Sequence, residues 1–457
     1  MKEFIDSIKN IWKIEELRKR ILFTVAMIAI YRFGSYVALP GVMPQVLLKA
    51  VQGRGANDIL GLLNTFTGGA LFKASIFALG IMPYITASII VQLLGFAVPY
   101  FQRLQEKEGE SGRNKINQIT RYLTVLITLV QGGGYLTTIV SAGAMDPSVN
   151  PYVFWITNII ILTTGTIFAM WLGERITDRG IGNGISLLIM IGIISRLPSA
   201  FFAEIQAQLA KNGGLIVFVI ELIALFAIVL LTVLITQGVR KIPVQFAKKM
   251  VGKGASQIPV SGARDYIPVK VNAAGVMPIV FAQAIMFLPV TVMQWVSKGG
   301  NSAGSILTAL NRWDSPIYNI FFFLLVVIFT YVYTALIVNP KQYSDYLKRM
   351  NAFIPGVKPG KSTENYIDSV VTKITLPGSI FLGFISIFPA FIAAFGINQA
   401  FALFFGGTSL LILVGVVLDT MQQIESHLLM RKYDGLVKSG KLKGRNTGGL
   451  NPIGSGM

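Results

Sequence analysis

The chain has 457 residues, of which 53% are hydrophobic and only 13% charged, against about 25% charged in a typical soluble domain. That composition, with a mean hydropathy of +0.63, excludes a water-soluble globule, and the lack of any cysteine excludes disulfides and thiolate metal sites. The net charge of +19 raises nucleic acid as a partner, a reading that depends on where the lysines and arginines lie.

The opening MKEFIDSIKN and the following EELRKR are charged and amphipathic and carry no small-residue cleavage site, so residues 1–20 read as an amphipathic N-terminus and not as a signal peptide. Apolar runs long enough to span a bilayer fall near 21–39, 74–99, 119–140, 152–173, 184–202, 215–236, 272–296, 317–338, 374–396 and 400–421. The fifth is the shortest, because its apolar stretch from Ile185 to Ile194 is closed by Ser195 and Arg196. This gives an N-terminal half over 21–202, a C-terminal half over 203–421 and a tail over 422–457.

Between the first two spans, residues 59–72, ILGLLNTFTGGALF, are apolar but too short to cross. They read as a half-inserted helix, which a bilayer tolerates only where protein or a water-filled cavity surrounds it, or as an interfacial helix on the outer surface. Gly80-Ile81-Met82-Pro83 in the second span is echoed by Gly275-Val276-Met277-Pro278 in the seventh. A repeat of five helices inverts its second copy, as in transporters and channels whose pathway runs between two halves; the alternative is chance recurrence in a Gly- and Met-rich chain. The loops 237–271 and 340–375 are long and basic, and GKGASQIPVSGARDYIPVKVN in the first carries a Gly-rich turn beside β-branched runs, a hairpin signal. Loops of that length without a core of their own read as partner-binding elements.

With the N-terminus in the cytoplasm, the outer loops hold only Lys49, Arg54, Arg196, Lys211, Lys298 and Arg312, and the other lysines and arginines of the connecting segments fall inside. That asymmetry is the positive-inside pattern, and it favours an even number of spans with both termini cytoplasmic. Ionisable residues within or beside spans are few: Arg32, Lys73 and Glu221. Arg32 is expected to pair with a helix-end carbonyl or a loop acid. Glu221 suits either a proton-coupled transporter or a carboxylate near a helix end or a partner subunit. His427 is the only histidine, which leaves no material for a zinc site or a His-based acid/base mechanism. Gly356-Val357-Lys358-Pro359-Gly360-Lys361-Ser362 has three residues between its glycines where a phosphate loop needs four, and Gly180-Ile181-Gly182-Asn183-Gly184 reads as a tight helix entry.

Six stretches together closely resemble the SecY family, the central subunits of the bacterial protein-conducting channel. They are LGIMPYITASIIVQLL (79–94), EGESGRNKI (108–116), WLGERITDRGIGNGIS (171–186), YTALIVNP (333–340), FIPGVKPGKSTENYID (353–368) and FGGTSLLI (405–412). The resemblance implies an all-α membrane protein with ten transmembrane helices in two pseudo-symmetric inverted halves, closed outside by a plug helix over 59–72 that includes Leu60, Leu63, Asn64, Phe66, Thr67, Gly68 and Gly69. It implies a pore ring of Ile81, Ile85, Ile185, Ile189, Val280 and Ile412. The first two pairs are four residues apart, so each shares one helix face; from spacing alone all six would be ordinary core. It implies a lateral gate containing Thr86, Ser88, Gln92, Gln131 and Asn272, and a docking surface for the ribosome and the motor SecA containing Arg240, Lys241, Lys248, Lys249, Lys253, Lys358 and Lys361. Lys358 stands where the family carries Arg, keeping the charge without the planar fork.

The function so implied is passage of unfolded secretory chains across the bacterial cytoplasmic membrane and sideways release of membrane segments into lipid. The partners implied are SecE, SecG, SecA, the ribosome, a secretory preprotein or its signal peptide, and membrane lipid; no catalytic residue, metal or cofactor is implied. The competing class is a secondary transporter of a small solute, which needs a polar mid-membrane site with coupling carboxylates.

Overall fold

The computed structural model describes residues 12, 14–53, 59–106, 108–210, 214–246, 249–251, 258–260, 264–296, 309–310 and 312–438. Helix α1, Glu15–Gly34, starts inside the charged N-terminal segment. The ion pairs Glu15–Lys19 (2.8 Å) and Glu16–Arg20 (3.0 Å) prolong it toward the N-terminus, where acids also suit the helix dipole. It ends before 39 because the chain turns there to pair Leu39 N with Ala74 O (2.7 Å) and to accept Ile76 N on Val37 O (2.9 Å). Helix α2 (Pro44–Gly53) and the short α3 (Ile59–Phe66) follow.

The predicted second span is helical only from Met82. Residues 67–81 run through turns with Gly68, Gly69, Ala74 and Gly80 at positive φ, and α4 covers Met82–Ala97. Val98-Pro99 ends α4 and opens α5, Pro99–Glu106. Helix α6, Gly109–Ser141, and α7, Pro151–Arg179, both outrun their predicted apolar cores, and the Asn150 side chain caps α7 at Tyr152 N (3.0 Å). The fifth predicted span, the shortest by composition, is a helix of 26 residues, α8, Gly184–Leu209. Ser195 and Arg196 do not end it: the Ser195 hydroxyl donates to Gly192 O (2.7 Å) and Arg196 O accepts the Ser199 hydroxyl (2.9 Å), both within the helix.

The second half begins with α9, Gly214–Gln237. Strands β1 (Val239–Phe246), β2 (Lys249–Val251), β3 (Ile258–Val260) and β4 (Arg264–Lys270) come next. Then follow α10 (Met277–Val296), α11 (Pro316–Ile337), α12 (Pro340–Arg349), β5 (Ala352–Phe353), α13 (Lys361–Ala394), α14 (Gln399–Ala402) and α15 (Gly407–Lys438). Among the described residues one helix falls in each of the ten predicted spans, and seven of these helices are long and apolar enough to cross a membrane by length and composition alone.

The Gly-x-Met-Pro echo is structural. Gly80 (φ +53°) and Gly275 (φ +64°) each close a run of turns, and the helix that follows starts at Met82 or Met277 with proline second. Both copies use the same device: a left-handed residue that turns the chain, then a proline whose missing N–H costs nothing in a first helical turn.

The two long loops pack together. Strand β1 pairs antiparallel with β4 (Val239 opposite Lys270) and with β5 (Gln245 opposite Phe353), giving the order β4-β1-β5, while β2 and β3 form a second small hairpin. The hairpin suggested by the Gly-rich turn is therefore present within a chain that is otherwise helical. Ile242 and Val244 point inward at alternate positions and join Val269, Leu347, Ile354 and Ile367 in a separate apolar core. The main core lies between the two halves and draws residues from α1, α3, α4, α7, α8, α10, α11, α13 and α15.

Candidate functional site

All six residues expected in the ring meet in the main core. Ile81, Ile85 and Ile412 are buried, and Ile185, Ile189 and Val280 are partly buried and packed against the same cluster. They arrive from the N-cap of α4, from α4 itself, and from α8, α10 and α15, so both halves contribute. Phe66 of α3 belongs to the same cluster. The gap between Phe66, Thr67, Tyr31, Met82 and the ring residues Ile81 and Ile189 is about 10 Å³, room for at most a single water. Beside the ring, Thr408 Oγ1 donates to Gln283 Oε1 at 3.0 Å. That bond joins α15 to α10 one turn from Ile412 and three residues from Val280.

Helix α3 is enclosed: Leu63 to Gly68 are all buried, which removes the interfacial reading, since a helix lying on the surface leaves one face uncovered. Phe66 faces the main core, while Leu60 and Leu63 pack with Leu39, Leu47 and Tyr135 in a second cluster. The turn after α3 folds back on Asn64. Its carbonyl accepts Gly69 N (2.8 Å) and the Thr67 hydroxyl (3.3 Å), and its side-chain oxygen accepts Phe72 N (3.1 Å). Phe66 O lies so close to Gly192 of α8 that a Cβ there would be 2.3 Å from it. Arg32 Nη1 donates to Gly68 O at 3.3 Å, the carbonyl partner expected for that arginine. Beside α3 lies a cavity of about 670 Å³ lined by Arg32, Lys73 and Arg196 among others. Lys73 Nζ sits 3.6 Å from the centre of the Tyr36 ring. The Arg32 guanidinium carbon lies 5.5 Å from the same ring centre.

Of the residues expected at the lateral gate, the structure brings two together. Thr86 of α4 and Gln131 of α6 line one small cleft with Ala284 of α10, and its lining also includes Leu71, Thr67 and Tyr135. Ser88 and Gln92 bond to each other along α4 (3.1 Å). Asn272 is buried in the turns before α10, with no hydrogen-bond partner for its Oδ1 among the described residues. Neither Asn272 nor the Ser88–Gln92 pair lines that cleft.

Of the residues expected on a docking surface, Arg240 and Lys241 are exposed on β1, with Lys241 Nζ 4.7 Å from the centre of the Tyr266 ring. Lys358 and Lys361 are exposed on a turn fixed by Thr363 Oγ1 to Lys358 O (2.9 Å) and Ser344 Oγ to Gly360 O (2.8 Å). Because β5 pairs with β1, both loops contribute cations to one folded unit. Lys248 and Lys253 lie outside the described residues, and Lys249 is described only as the first residue of β2. His427 is half-buried on α15 and not exposed.

Three features escaped the sequence reading: the partners of Glu221, Tyr135 and Gln283. Glu221 is buried and accepts from Gln208 Nε2 at 3.0 Å; the same amide donates to Glu204 Oε1 at 2.6 Å, and Glu204 Oε2 accepts Asn398 N at 2.9 Å. This network links the end of α8 to α9 and to the loop before α14, so Glu221 is engaged within the chain. The available signal was the spacing of Glu204 and Gln208, four residues apart on one helix face. The second is Tyr135, whose hydroxyl donates to Leu71 O; a phenol inside the apolar run GGGYL needs such a partner. The third is Gln283, a buried amide in an apolar helix, whose Oε1 accepts the Thr408 hydroxyl.

The SecY family model matches residues 75–421. The chain is 43% identical over 436 residues to the protein translocase subunit SecY of Streptomyces galbus, covering 93% of this chain and 97% of that one. It is 40% identical over 437 residues to the protein of the same name from Escherichia coli (strain K12), covering 94% and 96%. Among solved structures it resembles one described as a protein conducting channel, with a TM-score of 0.63 at 17% identity over 93% of this chain and 95% of that one. It also resembles Sec61 in a canine ribosome-channel complex, with a TM-score of 0.59 at 18% identity over 93% and 95%.

Proposed function

The chain belongs to the SecY family, and from that premise we propose that it carries unfolded secretory chains through an aliphatic waist between its two halves and releases membrane segments sideways into lipid. It is a multi-pass membrane protein, a subunit of a protein-translocation channel and not an enzyme. The alternative of a small-solute transporter has no support among its relatives, which are named translocase subunits.

The observation that carries the finer reading is the convergence of Ile81, Ile85, Ile185, Ile189, Val280 and Ile412 on one apolar cluster against Phe66. A ring of aliphatic side chains accepts an extended chain of any sequence, offers no charge for it to bind, and excludes ions when closed because nothing in it replaces their hydration. Helix α3 is the plug beneath that ring. Thr86 and Gln131 belong to the lateral gate, a seam of the kind whose polar contacts are worth only about 0.6–2 kcal/mol each, so that an apolar signal segment competes with them. Arg240, Lys241, Lys358 and Lys361 dock the acidic or RNA surface of a cytoplasmic partner, SecA or the ribosome. SecE and SecG complete the channel in the bacterial cytoplasmic membrane, with both termini of this chain inside.

Depleting a bacterium of its own channel subunit and expressing this chain tests the reading. Uncleaved secretory precursors should clear and be recovered outside the membrane. Persistent precursors, with the chain inserted at normal abundance alongside its partner subunits, would refute it.

A further inference from the structure

Tyr135 lies on α6 one helical turn after Gln131, so the two share a face. That face lines the cleft between α4, α6 and α10, a space of about 50 Å³ whose wall also contains Thr86, Ala284, Thr67 and Leu71. The Tyr135 hydroxyl is buried and donates to the Leu71 carbonyl at 2.5 Å across 64 residues of sequence. Leu71 is part of the compact turn that Asn64 organises: Leu71 N donates to Thr67 Oγ1 (3.3 Å), and that hydroxyl in turn donates to Asn64 O (3.3 Å). Residues 64–72 therefore move as one piece with the end of α3. Tyr135 is the side chain that ties this piece to a helix of the cleft, whereas Arg32 ties it to α1 through Gly68 O.

We infer that the Tyr135 hydroxyl is a positioning latch: it holds the 64–72 turn, and α3 with it, against α6 while the cleft is closed, and it lets go when an apolar segment spreads the cleft. This rests on reading α3 as the plug and the cleft as the gate. Tyr135 and Leu71 both line the cleft, so moving α6 away from the 64–72 turn as the cleft widens breaks the bond. A single neutral hydrogen bond is strong enough to bias a closed state and weak enough to yield to a bound helix.

The test uses the full chain with its partner subunits in proteoliposomes, measuring resting ion leak and the translocation of a preprotein with a weakened signal sequence. Tyr135→Phe should raise the resting leak roughly two- to tenfold, the range of one such bond, and admit the weakened signal. Difluorotyrosine at 135, a stronger donor of the same shape, should make the channel more selective against that signal than the parent. A chain lacking residues 60–69 is the reference and should leak at least as much as Y135F. If that deletion leaks while Y135F and the fluorinated chain match the parent in both readouts, the latch is wrong and the plug stands. If the deletion does not leak, the plug reading fails and the latch fails with it.

Discussion

Replacing Gln208 with methionine keeps the length of the side chain and removes the amide that stands between Glu204 and Glu221. The amide nitrogen reaches the two carboxylates at 2.6 and 3.0 Å, and Glu204, Gln208 and Glu221 are respectively 0%, 3% and 4% exposed, so water does not take its place. A hydrogen bond to a carboxylate is worth about 1.5–3 kcal/mol net, and losing two costs roughly 3–6 kcal/mol. Complete unfolding of a soluble chain of 457 residues releases about 2.1 cal/mol/K per residue, which makes 1 kcal/mol worth about 1 °C. Helices that persist in detergent lower that entropy and enlarge the shift, so Q208M should lose at least about 3 °C in thermal stability, read as the monodisperse fraction after heating. Adding Glu204→Gln and Glu221→Gln to Q208M removes the buried carboxylates and should recover part of the loss. A Q208M chain within about 1 °C of the parent would refute the claim that this network ties α8 to α9.

Gly192→Ala places a methyl 2.3 Å from Phe66 O; since backbone cannot yield as a flexible side chain can, α3 must shift, and resting ion flux should rise several-fold while thermal stability falls by about 1–3 kcal/mol. Arg240→Ala with Lys358→Ala should slow motor-driven translocation several-fold, more at low salt than at high salt, without changing thermal stability, because both side chains are exposed and such charges act chiefly on encounter rates. Equal loss at every salt concentration would mean that the lysine and arginine do not steer a partner.

The spans were legible because an apolar run of about 20 residues has few other uses, and the six residues proposed for the ring were singled out only through the family resemblance, since Ile81 and Ile85 have the spacing of any buried helix face. Helix ends were less so. The start of α6 at Gly109 lies ten residues before the apolar core at 119, in polar sequence that hydropathy does not mark. The turns at 67–81 were hidden inside a hydrophobic run because hydropathy does not register backbone conformation; Gly68, Gly69 and Gly80 were the only clue. The contacts of Tyr135 with Leu71 and of Glu221 with Gln208 depend on how distant segments pack, 64 residues apart in the first case and 13 in the second, and no local pattern encodes that.

The most direct test of the conduit is a photo-crosslinker placed at Ile85 or Ile189, in membranes that hold this chain, its partner subunits and an active motor, with a secretory chain stalled at a series of lengths. The account predicts adducts at both positions that appear once the stalled segment is long enough to reach the waist and persist as it lengthens. Failure to crosslink at both positions while the motor delivers substrate across the membrane would mean that these isoleucines only pack, and that the path lies elsewhere.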